Sequence, residues 1–342
     1  MYLFEFLYYL GFSAKKHYSL GRQRRLPYRV ISIGNLTTGG TGKTPATMAL
    51  AEEAKKRGFR PVILTRGYRG KAKGPCFVTK GEGPLLALED AGDEPFLMAE
   101  RLSGIPIVKG GNRYEAGMFA VKELFGQSPQ LPDGLLFLLD DGFQHRGLYR
   151  NKDVVLIDAG NPFGGRRLLP FGGLREPITA IARADILVLT KTGDTKQTES
   201  SVEIKDLIRE IREHNPGAPL FLSSHVFSSC RLLSGEKMPV SLLAGKKVFG
   251  FCAIGSPASF QKTVLSAGAE LAGLRTFRDH YHYSHKDLQR ISAEAGACGA
   301  EWIVTTEKDI IKTRNLDLPG NILIIEVKFS IEEGFYREVF SF

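Results

Sequence analysis

Arg29-Val-Ile-Ser-Ile-Gly-Asn-Leu-Thr-Thr-Gly-Gly-Thr-Gly-Lys-Thr44 runs from a β-branched stretch through a glycine-rich turn to a lysine–threonine pair. Strand, turn and helix start follow in the order that points backbone N–H groups at a phosphate, with the helix N-terminus adding positive potential. In such a turn Thr37, Gly39, Gly40, Thr41 and Gly42 form the cradle. Lys43 reaches the β- and γ-phosphates of a nucleotide, and the Thr44 hydroxyl holds Mg²⁺. The strict pattern G-x-x-x-x-G-K-[ST] asks for glycine at position 37, where this chain has threonine. A plain glycine-rich turn with a surface lysine is therefore the competing reading. The strand before the turn and the helix after it favour the phosphate loop.

Outward from that loop the chain alternates strands and helices. Residues 45–57 read as a helix ended by Gly58, and 60–65 as a strand that runs into the basic turn Arg66-Gly-Tyr-Arg-Gly70. Residues 71–92 read as irregular. Helices are expected over 94–102, 112–125, 175–182 and 202–213, and strands over 105–108, 134–141, 153–158 and 186–190. Apolar strands without alternation indicate a parallel sheet covered on both faces. The expected fold is α/β, a phosphate-loop α/β/α sandwich. At 342 residues the chain exceeds what one core usually serves. The Pro216-Gly-Ala-Pro219 break suggests a smaller α/β domain after it, with strands over 247–253, 302–305 and 321–327 and a helix over 259–267. The resulting division is 1–25, 26–218 and 219–342.

Composition narrows the class. The four cysteines are widely spaced without a C-x-x-C pair, which fits a reducing compartment and argues against a cysteine-ligated zinc site. The net charge is +9, and residues 1–30 hold Lys15, Lys16, Arg22, Arg24, Arg25 and Arg29 against Glu5 alone. The apolar stretch Met1-Tyr-Leu-Phe-Glu-Phe-Leu-Tyr-Tyr-Leu-Gly-Phe12 precedes them. It is shorter than the ~20 residues that span a bilayer, and it lacks the features of a signal peptide. Aromatics beside a basic cluster suit an interfacial helix at an anionic membrane surface. A helix packed on the protein's own core is the alternative.

Candidate chemistry lies at strand ends. Asp140 and Asp141 close the most apolar strand, at the carboxyl edge where ligands bind in such sheets and where an aspartate supports Mg²⁺. Gln144 and His145 face the same edge. In Asp90-Ala-Gly-Asp-Glu-Pro95, Asp93 or Glu94 suits helix capping, which is the better reading of those residues alone. A carboxylate there could equally take a proton from an attacking hydroxyl. Arg278-Asp-His-Tyr-His-Tyr-Ser-His285 holds three of the seven histidines. Irregular ligand spacing disfavours a metal site, and an Asp279–His280 acid–base or orienting pair is preferred to solvated loop residues. Arg166, Arg167 and Arg175 suit phosphate contacts.

Taken together these segments resemble the tetraacyldisaccharide 4′-kinase family of lipid A biosynthesis. The resemblance runs through I-S-I-G-N-L-T-T-G-G-T-G-K-T, L-T-R-G-Y-R-G (64–70), A-G-D-E-P (91–95) and L-D-D-G-F-Q-H-R (139–146). It continues through L-R-E-P (174–177), R-D-H (278–280) and T-T-E-K-D (305–309). The family's loop normally lacks the first glycine, which accounts for Thr37. The resemblance implies transfer of the ATP γ-phosphate to the 4′-hydroxyl of an acylated glucosamine disaccharide 1-phosphate, with ATP and Mg²⁺ as cofactors. It implies that Lys43 and Thr44 bind ATP and metal, and that Asp140 and Asp141 serve the metal and phosphate region. It also implies that Asp93 is the base, that His280 is its partner with Asp279 beside it, and that Arg175 and Glu176 stand near the phosphates and metal. Two α/β/α units closing over the site, an N-terminal helix at the membrane, and a peripheral position on the cytoplasmic face of the inner membrane are further expectations.

Other classes fit less well. A phosphate-loop GTPase switch needs [NT]-K-x-D, and Thr190-Lys-Thr-Gly-Asp194 misses it by one place. A membrane-surface module using ATP only structurally does not need paired aspartates together with Asp93 and His280. Nucleic acid is disfavoured, because the basic excess lies beside an apolar helix and no recognition motif is present. No obligate protein partner is indicated.

Overall fold

The computed structural model describes residues 3–126, 133–193 and 202–342. Two compact units make up the chain: Met1–His225 with Phe329–Phe342, and Val226–Lys328.

The first unit is built on strands β1 (Arg29–Asn35), β2 (Arg60–Thr65), β3 (Cys76–Thr79), β4 (Ile107–Lys109), β5 (Leu135–Asp140), β6 (Lys152–Asp158), β7 (Ile186–Thr190) and β8 (Leu220–Leu232). Their order is β8-β7-β6-β1-β5-β2-β4-β3. The pairings are parallel except β3 with β4, which is antiparallel. Every residue of β5 is buried, which is why its sequence shows no polar alternation. One apolar cluster joins Val30, Phe137, Leu139 and Val108 to Ala116 and Ala120 of the helix Arg113–Phe125. Another joins Phe143, Val155, Leu187 and Leu189 to Ile204, Leu207 and Ile211 of the helix Val202–His214.

The second unit contains β9 (Lys237–Met238), β10 (Lys247–Cys252), β11 (Glu270–Thr276), β12 (Trp302–Thr306) and β13 (Ile322–Ile331). They are arranged β11-β10-β12-β13-β8, with β9 on β8. Helices Pro257–Ser266 and His285–Ala297 accompany them.

Several stretches differ from the expectation, among them β8, β11 and the helix His285–Ala297, which it did not include. Residues 71–92 hold the edge strand β3 and a single helical turn, Leu88–Ala91. The helix expected over 175–182 is a 3₁₀ helix that starts only at Ile178 and ends at Arg183, because Pro177 biases the residue before it away from helical geometry. The chain leaves the first unit within β8 and returns to it within β13, so the second unit is Val226–Lys328 instead of 219–342. Packing explains the return. The Phe335 ring lies 5.6 Å from Phe221, and Phe340 stacks on Phe59 at 5.6 Å.

The N-terminal helix Leu3–Gly21 carries exposed Leu3, Phe4, Phe6, Leu7 and Leu10. Its inner side is tied down by buried Glu5, paired with Arg167 at 3.0 Å, and by Tyr8, whose hydroxyl donates to the Arg175 carbonyl at 2.9 Å. No helix among the described residues is long and apolar enough to cross a membrane.

Candidate active site

The phosphate loop is held from several directions. Lys43 opens the helix Lys43–Lys56, and Gly42 before it adopts φ +87°. A Cβ on Gly42 would stand 2.6 Å from His225 Nε2, so both the backbone conformation and the space require glycine. Thr37 bridges Leu174 in antiparallel fashion. Thr38 N–H donates to the Gly173 carbonyl at 2.7 Å, and Arg175 N–H to the Leu36 carbonyl at 2.7 Å. Thr190 Oγ1 donates to the Thr41 carbonyl at 2.9 Å. Thr37 is thus a bridging residue with no positive φ, and nothing at that position asks for glycine.

Lys43 Nζ donates to Asn35 Oδ1 at 3.2 Å and lies 3.6 Å from Asp141 Oδ1. Asn35 in turn donates to the Thr37 carbonyl at 2.8 Å, and its own carbonyl accepts from Gln144 Nε2 at 2.8 Å. Pairing of Ile33 with Asp140 puts the β5 carboxylates level with the end of β1. Close approach of Phe143 is possible only because Gly34 has no side chain: a Cβ there would lie 2.5 Å from Phe143 Cβ.

The two aspartates have different surroundings. Asp140 is buried and accepts from the hydroxyls of Thr47 at 3.3 Å and Thr65 at 3.1 Å. Burial first, then the charges of Glu94 and Asp141, push its carboxyl up to about 7. Asp141 sits at φ +51° and receives Arg175 Nη1 on both oxygens at 2.9 Å. Burial pulls the Asp141 carboxyl upward, but Lys43 and Arg175 outweigh it and hold it below the ordinary value. Arg175 also donates to Gln144 Oε1 at 3.3 Å.

Glu176 is fully buried. Its Oε2 accepts from Arg146 at 2.6 Å and from Arg183 at 2.6 Å, and its Oε1 from Arg183 at 2.9 Å. Burial would raise this carboxyl, and the two guanidiniums more than reverse it. A metal ligand at Glu176 would first have to give up one of these partners.

Asp93 is the first residue of the helix Asp93–Arg101, whose N-cap is Gly92 at φ +91°. It is therefore not the capping residue that its sequence context suggested. Glu94 beside it lies close enough to Asp140 to raise that carboxyl, which brings this helix start to the β5 edge. Arg113, at the start of its own helix, is buried and donates to the Gly110 carbonyl at 2.6 Å. Burial lowers its guanidinium to about 10 against the pull of Asp140 and Asp141.

Asp279 and His280 belong to the second unit. His280 adopts φ +62°, with Nε2 3.7 Å from Asp279 Oδ2. His285 Nδ1 stands 3.9 Å from exposed Asp317. Among the described residues no group of three or more His, Cys, Asp or Glu side chains is placed to hold a metal ion.

Sequence reasoning missed Asn35, Thr47, Thr65, Arg113 and Arg183. Asn35 and Thr65 end β1 and β2 as the last residues of otherwise apolar runs, a signal of the kind that identified Asp140. Arg113 is distinguished by its burial and Arg183 by its pairing with Glu176, which their helical contexts do not announce. Beside the site, a cavity of about 340 Å³ is lined by Tyr8, Phe12, Lys15, Gln144, Arg146 and Arg175. It joins the inner side of the N-terminal helix to the residues around Asp141.

Three comparisons bear on this geometry. The family model described as LpxK, tetraacyldisaccharide-1-P 4′-kinase, matches residues 1–341. The chain is 40% identical to the tetraacyldisaccharide 4′-kinase of Syntrophus aciditrophicus (strain SB), over 92% of this chain and 84% of that protein. It is 38% identical to that of Desulfotalea psychrophila (strain LSv54 / DSM 12343), over 86% and 80%. A crystal structure of the "apo" form of LpxK from Aquifex aeolicus in complex with ATP superposes with a TM-score of 0.74 at 31% identity. That match covers 98% of this chain and 96% of the other.

Proposed function

The chain belongs to the tetraacyldisaccharide-1-P 4′-kinase family, and on that premise we propose which of its residues carry the reaction. The protein transfers the γ-phosphate of ATP to the 4′-hydroxyl of a tetraacyldisaccharide 1-phosphate, a step of lipid A biosynthesis. The observation that carries the assignment is the joining of Lys43 to Asn35 and Asp141, with Arg175 on the same carboxylate.

Phosphoryl transfer asks the protein for positioning and charge stabilisation more than for covalent chemistry. The amides of residues 39–44 cradle the phosphates, and Lys43 and Arg175 face the charge that spreads over the transferring group. Asp93 takes the proton of the sugar hydroxyl as its oxygen bonds to the γ-phosphorus, the bond to the β-phosphate oxygen breaks and ADP leaves. Asp279 and His280 assist that base, a role supported by the motif Arg278-Asp-His280. Arg146 and Arg183 fix Glu176, and through it the segment that presents Arg175.

Mg²⁺ fits the donor set. Thr44, Asp140 and Asp141 offer hard oxygens, and Asp140 is a buried carboxylate that accepts from two threonine hydroxyls. Magnesium is usually held by one or two carboxylates together with substrate phosphates. Bound there, it would neutralise charge on the β- and γ-phosphates.

The acceptor is anionic and acylated. A cavity lined by Lys15, Arg146 and Arg175, with Tyr8 and Phe12, suits its headgroup, and the exposed apolar side of the Leu3–Gly21 helix suits its membrane. We place the protein peripherally on the cytoplasmic face of the inner membrane of a Gram-negative-type bacterium. Replacing Asp93 with Asn tests the base: ATP binding should persist while turnover falls by about 10²–10⁴-fold. Undiminished turnover would remove the assignment.

A further inference from the structure

The motif Thr305-Thr-Glu-Lys-Asp309 sits under the loop that bears His280. Asp309 is fully buried. Its Oδ1 accepts from the Ala253 amide at 3.0 Å, the Tyr283 hydroxyl at 3.0 Å and Lys312 Nζ at 3.2 Å. Its Oδ2 accepts from Thr306 Oγ1 at 2.6 Å. Tyr283 is therefore bonded at its tip to the helical turn Glu307–Ile310 that follows β12. Its ring is packed edge-on against Phe251, Phe277 and Tyr281, with centroids 5.1–5.5 Å away. Phe277 and Tyr281 stack on each other at 4.7 Å, closing a short loop around residues 278–280. On its far side the Tyr281 hydroxyl donates to Asp287 Oδ2 at 3.2 Å, the residue that forms a capping box with Ser284.

Every exit from this loop is thus fixed, and the residue held inside it is His280 at φ +62°. A histidine in the left-handed region persists where its surroundings over-determine it, and such positions cluster at functional sites. One side chain of the motif reaches the pair itself. Lys308 Nζ donates to Asp279 Oδ1 at 3.3 Å, while Asp279 Oδ2 stands 3.7 Å from His280 Nε2. The chain of contacts is Lys308, Asp279, His280. Asp309 holds the loop and Lys308 holds the carboxylate.

We propose that Thr305–Asp309 is the positioning base of the Asp279–His280 pair, with Lys308 acting on His280 through Asp279 and Asp309 acting through Tyr283. Lys308 is a positioning residue: the loop keeps its shape without it, but Asp279 loses the cation that fixes its orientation. The inference rests on the reading that His280 assists the transfer, and the experiment separates the two.

Turnover is measured for Lys308→Met, Lys308→Arg, His280→Ala and the double variant Lys308→Met/His280→Ala, with melting temperatures as a check on folding. Lys308→Met should lower kcat on the order of tenfold with KM for ATP unchanged, and Lys308→Arg should recover most of the loss. In the His280→Ala background, Lys308→Met should cost nothing further, because its effect passes through the histidine. Equal losses from Lys308→Met in both backgrounds overturn the proposal. So does an unaffected Lys308→Met beside an impaired His280→Ala. Full activity in His280→Ala overturns the reading of His280 itself and the proposal with it.

Discussion

Lys43 Nζ stands 3.6 Å from Asp141 Oδ1, so the phosphate loop and the end of β5 are joined by a single ion pair across neighbouring strands. Arg175 occupies the same carboxylate from the other side. Asp140, one residue earlier, is left with two threonine hydroxyls and a carboxyl pushed upward by burial. Asp141 orders the two cations, and Asp140 lies in a protected position one residue earlier. This division of labour follows from backbone geometry: Asp141 has turned to φ +51°, out of the strand that keeps Asp140 in line.

Glu176 should behave first as a structural residue. Glu176→Ala would leave buried Arg146 and half-buried Arg183 without their carboxylate. Removal of one partner from such a pair costs about 3–5 kcal/mol, which lowers the melting temperature on the order of 10 °C in a unit of this size. Calorimetry of the variant measures this. A normal melting temperature together with a weakened dependence on Mg²⁺ would instead favour the metal role that the family motif implies.

Acid should destabilise the first unit through His225. Burial, followed by the charge of Lys191, lowers this imidazole from 6.5 to about 4. Between those values the unfolded chain binds the extra proton, so stability is complete above about pH 6.5 and falls as pH drops toward 4. The full shift corresponds to roughly 3 kcal/mol as an upper figure. His145, lowered to about 4 chiefly by burial, adds to the same slope. Urea unfolding of the wild type and of His225→Gln from pH 7 to pH 4 should give a shallower acid decline in the variant. Parallel declines would refute the assignment.

The exposed apolar side of the N-terminal helix should govern membrane binding. Replacing Phe4, Leu7 and Leu10 together with serine is expected to abolish most co-sedimentation with anionic vesicles while leaving ATP binding unchanged. Each buried methylene contributes about 0.8 kcal/mol. Raised salt should weaken the wild type as well, since Lys15, Lys16 and the following arginines add an electrostatic part. Unchanged co-sedimentation would mean that another surface makes the contact.

Much of this site could be read from residue order because its chemistry sits at strand ends. The β1–Lys43 segment and Leu135–Asp140 are recognisable as apolar runs that stop at functional groups. Less visible were features that depend on tertiary packing. Strand β11 contains Gly273, which weakens its strand signal, yet Phe249 fills the place of the missing side chain at 2.7 Å. The helix His285–Ala297 begins with a capping box inside a stretch whose histidines drew attention to metal chemistry. Arg146 reaches Glu176 from 30 positions away, and no local pattern predicts that such a carboxylate is already engaged. Thr37 departs from the strict loop pattern without consequence because Leu174, far along the chain, supplies the bridge that holds it.

The most direct test of the site assignment is phosphate transfer from ATP to tetraacyldisaccharide 1-phosphate in mixed detergent micelles, comparing wild type with Lys43→Ala. Lysine at this position bears on the charge that develops in the transition state, so the variant should lose about 10²–10³-fold in turnover. Its binding to the micelles should be unchanged, since the helix Leu3–Gly21 is untouched. Undiminished transfer to the 4′-hydroxyl by Lys43→Ala would contradict the placement of the reaction at this loop.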